Sequence, residues 1–418
     1  MTTDWDNIIL LSADALRADH LSCHGYHRET SPVLDELAAE SLHFTNAYSA
    51  SSHTREAVPA LLTGEYPDTA IDSKYRLATE TVASTLSEEG FATGGFHSNP
   101  FVSRAYGFDQ GFDKFDDDLH LGQHKLIALA QRALDKIRNR HYARAEEINE
   151  RSLDWIDSLD SDQPFFLWNH YMDTHGPYEP PGEWSTLYRD DTVSDRDAQS
   201  LYQRAIKKPE SITDDERQLL IDLYDAEIRY NDEKIGELLD ELRERELLEN
   251  SLLIFTADHG DAFGEHGYYE HPRYVHDEIT HVPFIVREPS GESGVIETPV
   301  STLDIVATVE KSVGGESEFS LVELTQDETR CVFSQARGEK EHSHLRRYAA
   351  RTKDEVCYCE RDIETGDIEF TESKGLSLQS ELREHICARV AIENGESAGD
   401  DEEVDEEIER RLEALGYK

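Results

Sequence analysis

Apolar residues in this chain form short uninterrupted runs, separated by longer segments in which apolar positions recur at helical spacing. Residues 7–14 read NIILLSAD and residues 251–258 read SLLIFTAD, so each run ends on an aspartate. Runs without polar alternation are typical of strands buried on both faces, as in a parallel sheet covered by helices. Because parallel strands end at one edge of a sheet, we expect Asp14 and Asp258 to lie close together.

Further strands and helices follow along the chain. Their alternation predicts an α/β fold with a doubly wound, mostly parallel sheet. The polar stretch over residues 183–210 is expected to be an irregular insertion or lid. The predicted helices cover residues 31–40, 55–62, 81–89, 143–159, 214–249 and 302–311, and the further strands cover residues 91–96, 164–168 and 281–286.

The character of the chain changes near residue 330. Short β-rich runs, such as residues 355–359, predict a small antiparallel sheet in a C-terminal α+β region. We therefore expect a catalytic α/β domain over residues 1–325, an antiparallel-sheet subdomain over residues 326–388, and an acidic linker with a closing helix over residues 389–418.

The 418-residue chain is strongly acidic, with a net charge of −48 from 89 Asp and Glu against 41 Lys and Arg. This charge argues against nucleic acid or an anionic membrane as a partner. The acidity is spread along the whole chain, which favours a halophilic protein, because self-repulsion is screened to about 3 Å at 1 M salt. An ordinary acidic cytosolic protein is the alternative.

The compartment is expected to be the cytoplasm. No window approaches 18 consecutive apolar residues, and the first apolar run is interpreted as a strand and not as a signal peptide. Five cysteines, with no spacing typical of a zinc site, are interpreted as free thiols in a reducing environment.

Asp14, Asp258 and the adjoining His259 are candidate metal ligands. Carboxylate oxygens with an imidazole nitrogen suit Mn²⁺, Zn²⁺ or Mg²⁺ better than the all-oxygen cage of Ca²⁺, and we expect one divalent ion whose identity among these four stays open. The alternative is that the two aspartates only end their strands.

Thr54 stands just before a predicted helix in the segment SASSHTREAVPALLTG. Its hydroxyl either caps the helix or faces free backbone N–H groups that stabilise an anion, and the two roles are compatible. Ligation to a metal would lower the pKa of this hydroxyl further. Thr54 is therefore a candidate nucleophile and a candidate metal ligand.

Several segments occur in an order and spacing that is specific in combination. The chain reads LRADHLSCHGY over residues 16–26, LLTGEYP over 61–67, MDTHGPYEPP over 172–181, YDAEIRYND over 224–232 and TADHGDAFGEHG over 256–267. On these segments the chain resembles the sulfatase branch of the alkaline phosphatase superfamily over nearly its whole length.

The resemblance implies an alkaline-phosphatase-like fold and a metal-dependent hydrolase of small anionic sulfate, phosphate or phosphonate esters. The family nucleophile lies ten residues before the glycine of LLTG, which is the position of Thr54. The resemblance further implies that His175 assists the leaving group. It assigns His97, Asn99 and His271 to substrate binding.

The chain departs from the motif that formylglycine sulfatases share, Cys/Ser-x-Pro-x-Arg. Thr54, Glu56 and Val58 occupy its three defined positions, Ala15 replaces the second aspartate of the first strand, and Arg55 is assigned a catalytic role as a partial replacement for the missing charge. Phosphodiesterase, phosphonate monoester hydrolase or phosphotransferase activity is the close alternative. A catalytically inactive, anion-binding homologue is the alternative from another class.

Overall fold

The computed structural model describes residues 5–119, 142–315, 317–326, 328–373 and 376–393. The strands before residue 326 are β1 (Asn7–Ala13), β2 (Leu42–Phe44), β3 (Ala47–Tyr48), β4 (Ala92–His97), β5 (Lys114–Asp116), β6 (Phe165–Tyr171), β7 (Ser251–Ala257), β8 (Ala262–Phe263), β9 (Tyr269–Glu270), β10 (Phe284–Arg287), β11 (Gly294–Ile296) and β12 (Val300–Ser301). The helices are α1 (Pro32–Ala39), α2 (Thr54–Thr63), α3 (Pro67–Ala70), α4 (Val82–Glu88), α5 (Ala145–Ile156), α6 (Asp195–Lys207), α7 (Asp214–Glu244), α8 (Asp277–Thr280) and α9 (Asp304–Ser312).

A central sheet of eight strands has the order β11-β2-β10-β7-β1-β6-β4-β5. The five strands from β7 to β5 are parallel to one another, and β10 runs antiparallel to both of its neighbours. The mostly parallel α/β sheet predicted from the sequence is confirmed. The strand predicted over residues 281–286 begins only at Phe284.

Strand β1 lies in the middle of this sheet and is buried along its whole length. Neighbours on both sides and helices on the sheet faces exclude water, so an unbroken apolar sequence is stable there; each fully buried Leu or Ile contributes about 1.5–3 kcal/mol. Two groups of helices pack around the sheet, α1 and α5 against α7, and α2 and α4 against α9. Gly94 allows α5 to approach β4, because a Cβ there would lie 2.6 Å from the ring of Trp155.

The C-terminal region forms a second sheet with its own apolar cluster. Strands β13 (Val332–Arg337), β14 (Leu345–Arg351), β15 (Val356–Asp362) and β16 (Ile368–Ser373) pair antiparallel in this order, and helix α10 (Leu376–Glu393) packs against them. The predicted antiparallel C-terminal sheet is confirmed. The boundary proposed at residue 389 falls inside α10, and residues 394–418, with most of the predicted linker and its closing helix, lie outside the described residues.

The polar stretch over residues 183–210 was expected to be irregular, and this expectation is wrong for its second half. Helix α6 occupies that part, begins after the N-cap Ser194, and buries four residues at helical spacing: Ala198, Leu201, Tyr202 and Ala205. Only these four of its thirteen residues are buried, and eight of the thirteen are charged or polar, so the average polarity of the segment conceals a narrow buried stripe.

In the part of the chain that the structure describes, no helix combines the length and the apolar character needed to cross a membrane.

Candidate metal centre and active site

Asp14 and Asp258 meet at the carboxyl edge of the central sheet, directly after β1 and β7. Ala13 pairs with Ala257 across the two strands, so the residues that follow them are neighbours. The backbone N–H of Asp14 also donates to the carbonyl of Tyr171 at the end of β6, at 2.8 Å. Both carboxylates are fully buried. The structure therefore brings together the two aspartates that end the apolar runs.

His259 completes a group of three with these aspartates, in which one potential ligand atom of each residue lies within 4.8 Å of the others. Nδ1 of His259 lies 3.0 Å from the carbonyl oxygen of Gly260 and must be the donor, so in a neutral ring Nε2 carries the lone pair. Nε2 lies 3.6 Å from Oδ1 of Asp14 and 3.5 Å from Oδ2 of Asp258. Both of these oxygens are buried and have no hydrogen-bond partner among the described residues.

Thr54 is the first residue of α2, and its hydroxyl faces the same group. Oγ1 lies 3.4 Å from Oδ2 of Asp14 and 3.1 Å from Nε2 of His259. Both neighbours are acceptors, and the single hydroxyl proton satisfies only one of them. A divalent cation held by Asp14, Asp258 and His259 would take up the remaining electron pairs. The donor set therefore fits a metal ion.

Burial and the surrounding imidazoles give the two carboxylates different pKa values. Burial by itself raises the pKa of Asp14, but the nearby His175 and the hydrogen bond from His170 outweigh burial and hold this pKa well below its usual range. The pKa of Asp258 is raised, first by burial and then by the negative charge of Asp14. Two facing carboxylates oppose each other's ionisation, and a divalent cation between them would remove that conflict.

Asn99 and His170 both contact Asp14. Nδ2 of Asn99 donates to Oδ2 of Asp14 at 2.6 Å, and Nε2 of His170 lies 3.3 Å from the same oxygen. Asn99, predicted to bind substrate, thus orients a candidate metal ligand. His170 was missed by the sequence analysis. The signal was its place in the polar run after the third apolar strand, which extends to Tyr171 and not only to residue 168.

A hydrogen-bond relay fixes the ring of His170. Nε1–H of Trp168 donates to Oγ of Ser12 at 3.0 Å, and this Oγ lies 2.9 Å from Nδ1 of His170. The Ser12 hydroxyl donates to Nδ1, because its other acceptor, the carbonyl of Asn169, is 3.5 Å away. Nε2 of His170 then carries a proton and donates to Asp14. His170 is therefore a positioning residue for that carboxylate.

His271 and His175 lie beside the candidate metal group, which consists of Asp14, Asp258 and His259. The ring centroids of His259 and His271 are 4.3 Å apart, and those of His271 and His175 are 5.1 Å apart. Nδ1 of His271 donates to Asp261 at 2.6 Å, and the Tyr178 hydroxyl donates to the other oxygen of Asp261, also at 2.6 Å. Burial, followed by the neighbouring His259, lowers the pKa of His271 to about 4. The sequence analysis missed Asp261, although it is the second acid of the TADHGD segment.

His53 is a further residue that the sequence analysis missed. Its Nδ1 accepts the N–H of Arg55 at 3.2 Å, and its carbonyl accepts the N–H groups of Glu56 and Ala57 at 2.9 Å each. The expectation of free N–H groups for an anion is therefore wrong at these three positions. Helix α2 still contributes its positive dipole end at Thr54.

His97 does not join the metal group, although we expected it to bind substrate. Its ring is fully buried, with centroids 5.1 Å from Phe115 and 5.5 Å from Trp168, and its Nδ1 accepts the N–H of Asn99 at 3.2 Å. Burial lowers its pKa to about 3. A neutral ring shielded from solvent is unsuited to bind a substrate anion, so the position of His97 does not support the expected role.

Arg55 also lies apart from the metal group. Its guanidinium lies over the rings of Phe101 and Tyr75, at 4.1 and 5.0 Å from their centroids. It forms no hydrogen bond or ion pair with Asp14, Asp258 or His259. The catalytic role predicted for Arg55 therefore has no support in a contact with the group that holds the nucleophile.

The chain matches a known protein family over most of its length. The family model described as Sulfatase matches residues 6–314. The chain is 24% identical over 337 residues to the uncharacterized sulfatase YidJ of Escherichia coli (strain K12), covering 72% of this chain and 67% of the relative. It is 26% identical over 352 residues to iduronate 2-sulfatase of Homo sapiens, covering 71% of this chain and 62% of the relative.

Solved structures share the fold over nearly the whole chain. The solved structure of a protein in complex with its substrate D-glucosamine-2-N,6-O-disulfate superposes on this chain with a TM-score of 0.69 at 18% identity. The superposition covers 94% of this chain and 99% of the other. The phosphonate monoester hydrolase from Silicibacter pomeroyi superposes with a TM-score of 0.67 at 18% identity, covering 92% and 95%. At these identities the likeness establishes the fold.

Proposed function

The chain belongs to the sulfatase family of sulfuric and phosphoric ester hydrolases, and from that premise we propose that it hydrolyses small anionic esters with Thr54 as a metal-activated nucleophile. The relatives just described include sulfatases and a phosphonate monoester hydrolase, so the reacting group of the substrate is a sulfate, phosphate or phosphonate ester. Asp14, Asp258 and His259 are the proposed ligands of one divalent ion.

A single observation carries this proposal. The Thr54 hydroxyl oxygen lies 3.1 Å from Nε2 of His259 and 3.4 Å from Oδ2 of Asp14, in a buried group that has more electron pairs than protons. A bound divalent ion supplies the positive charge that lowers the pKa of a ligating hydroxyl and neutralises the oxyanion. This arrangement supports Thr54 as the attacking residue.

In the proposed first step, Oγ1 of Thr54 attacks the sulfur or phosphorus atom. The bond from Oγ1 forms while the bond to the ester oxygen breaks. The Thr54 proton passes to water, because Oδ2 of Asp14, whose pKa is held well below its usual range, is too weak a base to keep it. Asn99 and His170 hold that oxygen in place through hydrogen bonds of 2.6 and 3.3 Å.

His175 is the proposed acid for the leaving alcohol, and it returns as the base for water in the second step. Its Nδ1 donates to the carbonyl of Gly176 at 2.6 Å, which fixes the orientation of the ring. Water then hydrolyses the ester on Thr54 and restores the hydroxyl. His271, fixed by Asp261 at 2.6 Å, is proposed to contact the substrate oxygens.

Phosphate diesters and phosphonate monoesters are the second candidate substrates. A formylglycine hydrate expels sulfate by collapsing to an aldehyde, but a Thr54 sulfate ester has no such exit and depends on water. A threonine nucleophile beside one metal site therefore favours the phosphoesterase chemistry of the family over formylglycine chemistry.

We further propose that the enzyme works in the cytoplasm of a cell with concentrated salt. The net charge of −48 supports the salt requirement, because such a charge destabilises a folded chain unless it is screened. The five cysteines, all of which the structure describes, form no disulfide, which supports a reducing compartment.

The test is an ester assay on the full chain in about 2 M KCl with added Mn²⁺. The substrates are 4-nitrophenyl sulfate, 4-nitrophenyl phosphate, bis(4-nitrophenyl) phosphate and 4-nitrophenyl phenylphosphonate. We expect turnover of at least one ester and a decrease in kcat of at least about 1,000-fold for Thr54→Ala. Thr54→Ser retains a hydroxyl at the same position and is expected to keep measurable activity.

The matched control is Thr63→Ala at the other end of α2, where the hydroxyl donates to the carbonyl of Pro59 at 2.8 Å and faces no ligand group. This control is expected to retain full turnover. No turnover of any ester by the unmodified protein, or equal turnover by Thr54→Ala, would refute the proposed function.

A further inference from the structure

The guanidinium of Arg55 pairs with no carboxylate in the described part of the chain. Within the described residues its guanidinium forms no ion pair and no side-chain hydrogen bond, and its Nε is buried without a partner. Its contacts are aromatic, since the guanidinium carbon lies 4.1 Å from the ring centroid of Phe101 and 5.0 Å from that of Tyr75. An aromatic ring contacts the flat face of a guanidinium, so the N–H groups along the edge of the guanidinium can still bind an acceptor.

Two more arginines surround the same tyrosine. The guanidinium carbons of Arg273 and Arg337 lie 5.9 and 5.8 Å from the centroid of Tyr75. Arg273 forms ion pairs with Glu56 at 3.1 Å and with Glu339 at 2.7 Å. Arg337 forms an ion pair with the same carboxylate of Glu56, at 3.9 Å. Three arginines thus face two carboxylates, and one positive charge remains.

Glu270 is a further acid near this cluster. Burial, followed by the charge of Asp261, raises the pKa of Glu270 to about 8. Its carboxyl group is therefore largely protonated at pH 7 and does not cancel the charge of Arg55. A local surplus of positive charge stands out in a chain whose net charge is −48.

The cluster is continuous with the candidate active site. Arg55 follows Thr54 in the sequence, and Phe101, which Arg55 covers, also packs against His53 with centroids 5.3 Å apart. The N–H of Phe101 donates to Oδ1 of Asn99 at 2.8 Å, while Nδ2 of the same Asn99 donates to Asp14. Phe101 therefore connects the guanidinium of Arg55 to the metal group through two steps.

We propose that Arg55 binds a second anionic group of the substrate, a carboxylate or a further sulfate or phosphate, away from the ester that Thr54 attacks. The inference rests on the proposed function, because the reacting ester is assigned to Thr54. Bidentate pairing of a guanidinium with an oxyanion gives both orientation and affinity. A partly buried pair of this kind is also screened less by salt than an exposed pair. The substrate class is then a dianionic ester.

The kinetic test compares two substrates that differ by one charge, a 4-nitrophenyl ester that the enzyme turns over and the same ester with a carboxylate on its ring. For the unmodified enzyme we expect a higher kcat/KM with the carboxylated ester. In Arg55→Gln the ratio of the two kcat/KM values should fall at least about tenfold, mainly through KM. Arg55→Lys keeps the positive charge but loses the planar guanidinium that can donate two parallel hydrogen bonds, and it should give an intermediate ratio.

The control variant is Arg243→Gln, since Arg243 is an exposed arginine paired with Asp240 on α7. It should leave the ratio unchanged. A ratio that is the same in Arg55→Gln and in the unmodified enzyme would overturn the inference, as would an equal loss with both substrates. Thermal unfolding of each variant separates loss of binding from loss of fold.

A binding experiment keeps this inference separate from the proposed function. Titration calorimetry compares 4-sulfobenzoate and 1,4-benzenedisulfonate with benzenesulfonate, which lacks the second charge. We expect at least one dianion to bind about tenfold more tightly than the monoanion, and the difference to vanish in Arg55→Gln. If no ester is hydrolysed but this difference appears, the proposed function fails and the anion site stands. Equal affinity for all three probes overturns the anion site.

Discussion

The hydroxyl oxygen of Thr54 lies 3.1 Å from Nε2 of His259, although 205 positions separate the two residues in the chain. Because Nδ1 of His259 donates to a backbone carbonyl, Nε2 of the neutral ring is the acceptor for the hydroxyl. Helix α2 delivers the threonine, and the end of β7 delivers the histidine. Their contact depends on α2 starting beside the carboxyl edge of the sheet, where Asp14 and Asp258 also lie.

Loss of the charge on Asp258 should weaken metal binding. Oδ2 of Asp258 is buried and has no hydrogen-bond partner among the described residues, so a bound cation would satisfy it. We expect Asp258→Asn to weaken Mn²⁺ binding at least about 100-fold in titration calorimetry. Removal of the metal by EDTA should abolish ester hydrolysis by the unmodified enzyme and lower its Tm.

Asp232→Asn is the matched control for this experiment. Asp232 is another buried carboxylate, and it accepts the N–H groups of Val33 and Leu34 at 3.0 and 2.9 Å. It should change stability without changing metal affinity. Mn²⁺ binding by Asp258→Asn that is as tight as that of the unmodified chain would contradict the assignment.

His170 should orient the proposed metal ligand Asp14 without touching the substrate. Removal of a side chain that orients a ligand typically costs 10–100-fold in metal affinity or activity. We expect His170→Ala to reduce Mn²⁺ affinity by about that factor, and Ser12→Ala, which removes only the partner of Nδ1, to cost less. His170→Gln places an amide N–H near Oδ2 and should restore part of the affinity. An unchanged dissociation constant in His170→Ala would argue against a positioning role.

Acidification should destabilise the protein through His97. Burial lowers its folded-state pKa to about 3, below the ordinary value of 6.5. The unfolded chain therefore binds more protons below pH 6.5, and the stability that the neutral ring contributes is complete above pH 6.5 and is lost as the pH falls toward 3. Between pH 6.5 and pH 5 this loss is about 2 kcal/mol.

Denaturant unfolding at several pH values measures this effect. In His97→Gln the free energy of unfolding should fall by about 2 kcal/mol less than in the unmodified chain over the same interval. His27→Gln, at an exposed position, is the control and should keep the full pH dependence. Parallel curves for His97→Gln and the unmodified chain would rule out His97 as the source.

Salt should stabilise the fold over a wide range of KCl concentration. Raising KCl from about 0.1 to 1 M shortens the Debye length from about 10 to about 3 Å, so the repulsion within a chain of net charge −48 decreases. We expect Tm, followed by near-ultraviolet circular dichroism, to rise by about 10 °C or more across this interval. An equal osmolality of sucrose is the control, since it adds no screening. A Tm that is flat or that falls with KCl would refute the halophilic interpretation.

Much of the fold was predictable from local patterns. The apolar runs of β1 and β7 require burial on both faces, and a strand in the middle of a parallel sheet is the simplest structure that provides it. Helix α6 was missed because its buried stripe is narrow. Strand β10 runs antiparallel to its neighbours, and an apolar run contains no information about its direction.

The site was predicted in part. The grouping of Asp14, Asp258, His259 and Thr54 was predictable because a strand end and a helix start can be recognised from a few consecutive residues. His170 was overlooked because its role depends on a relay through Ser12, 158 positions away. His97 was assigned to substrate because it follows a strand end in the sequence, yet β4 continues through it and packs it against Trp168.

The sequence by itself determined which residues end the central strands and which hydroxyl begins α2, because burial and helix initiation depend on neighbouring residues in the chain. Only the tertiary structure decided what surrounds those residues. The pairing of Asp261 with His271, the relay from Ser12 to His170, and the turn of Arg55 toward Phe101 are contacts between side chains of different elements. Their geometry depends on sheet register and helix packing, which no local pattern of residues specifies.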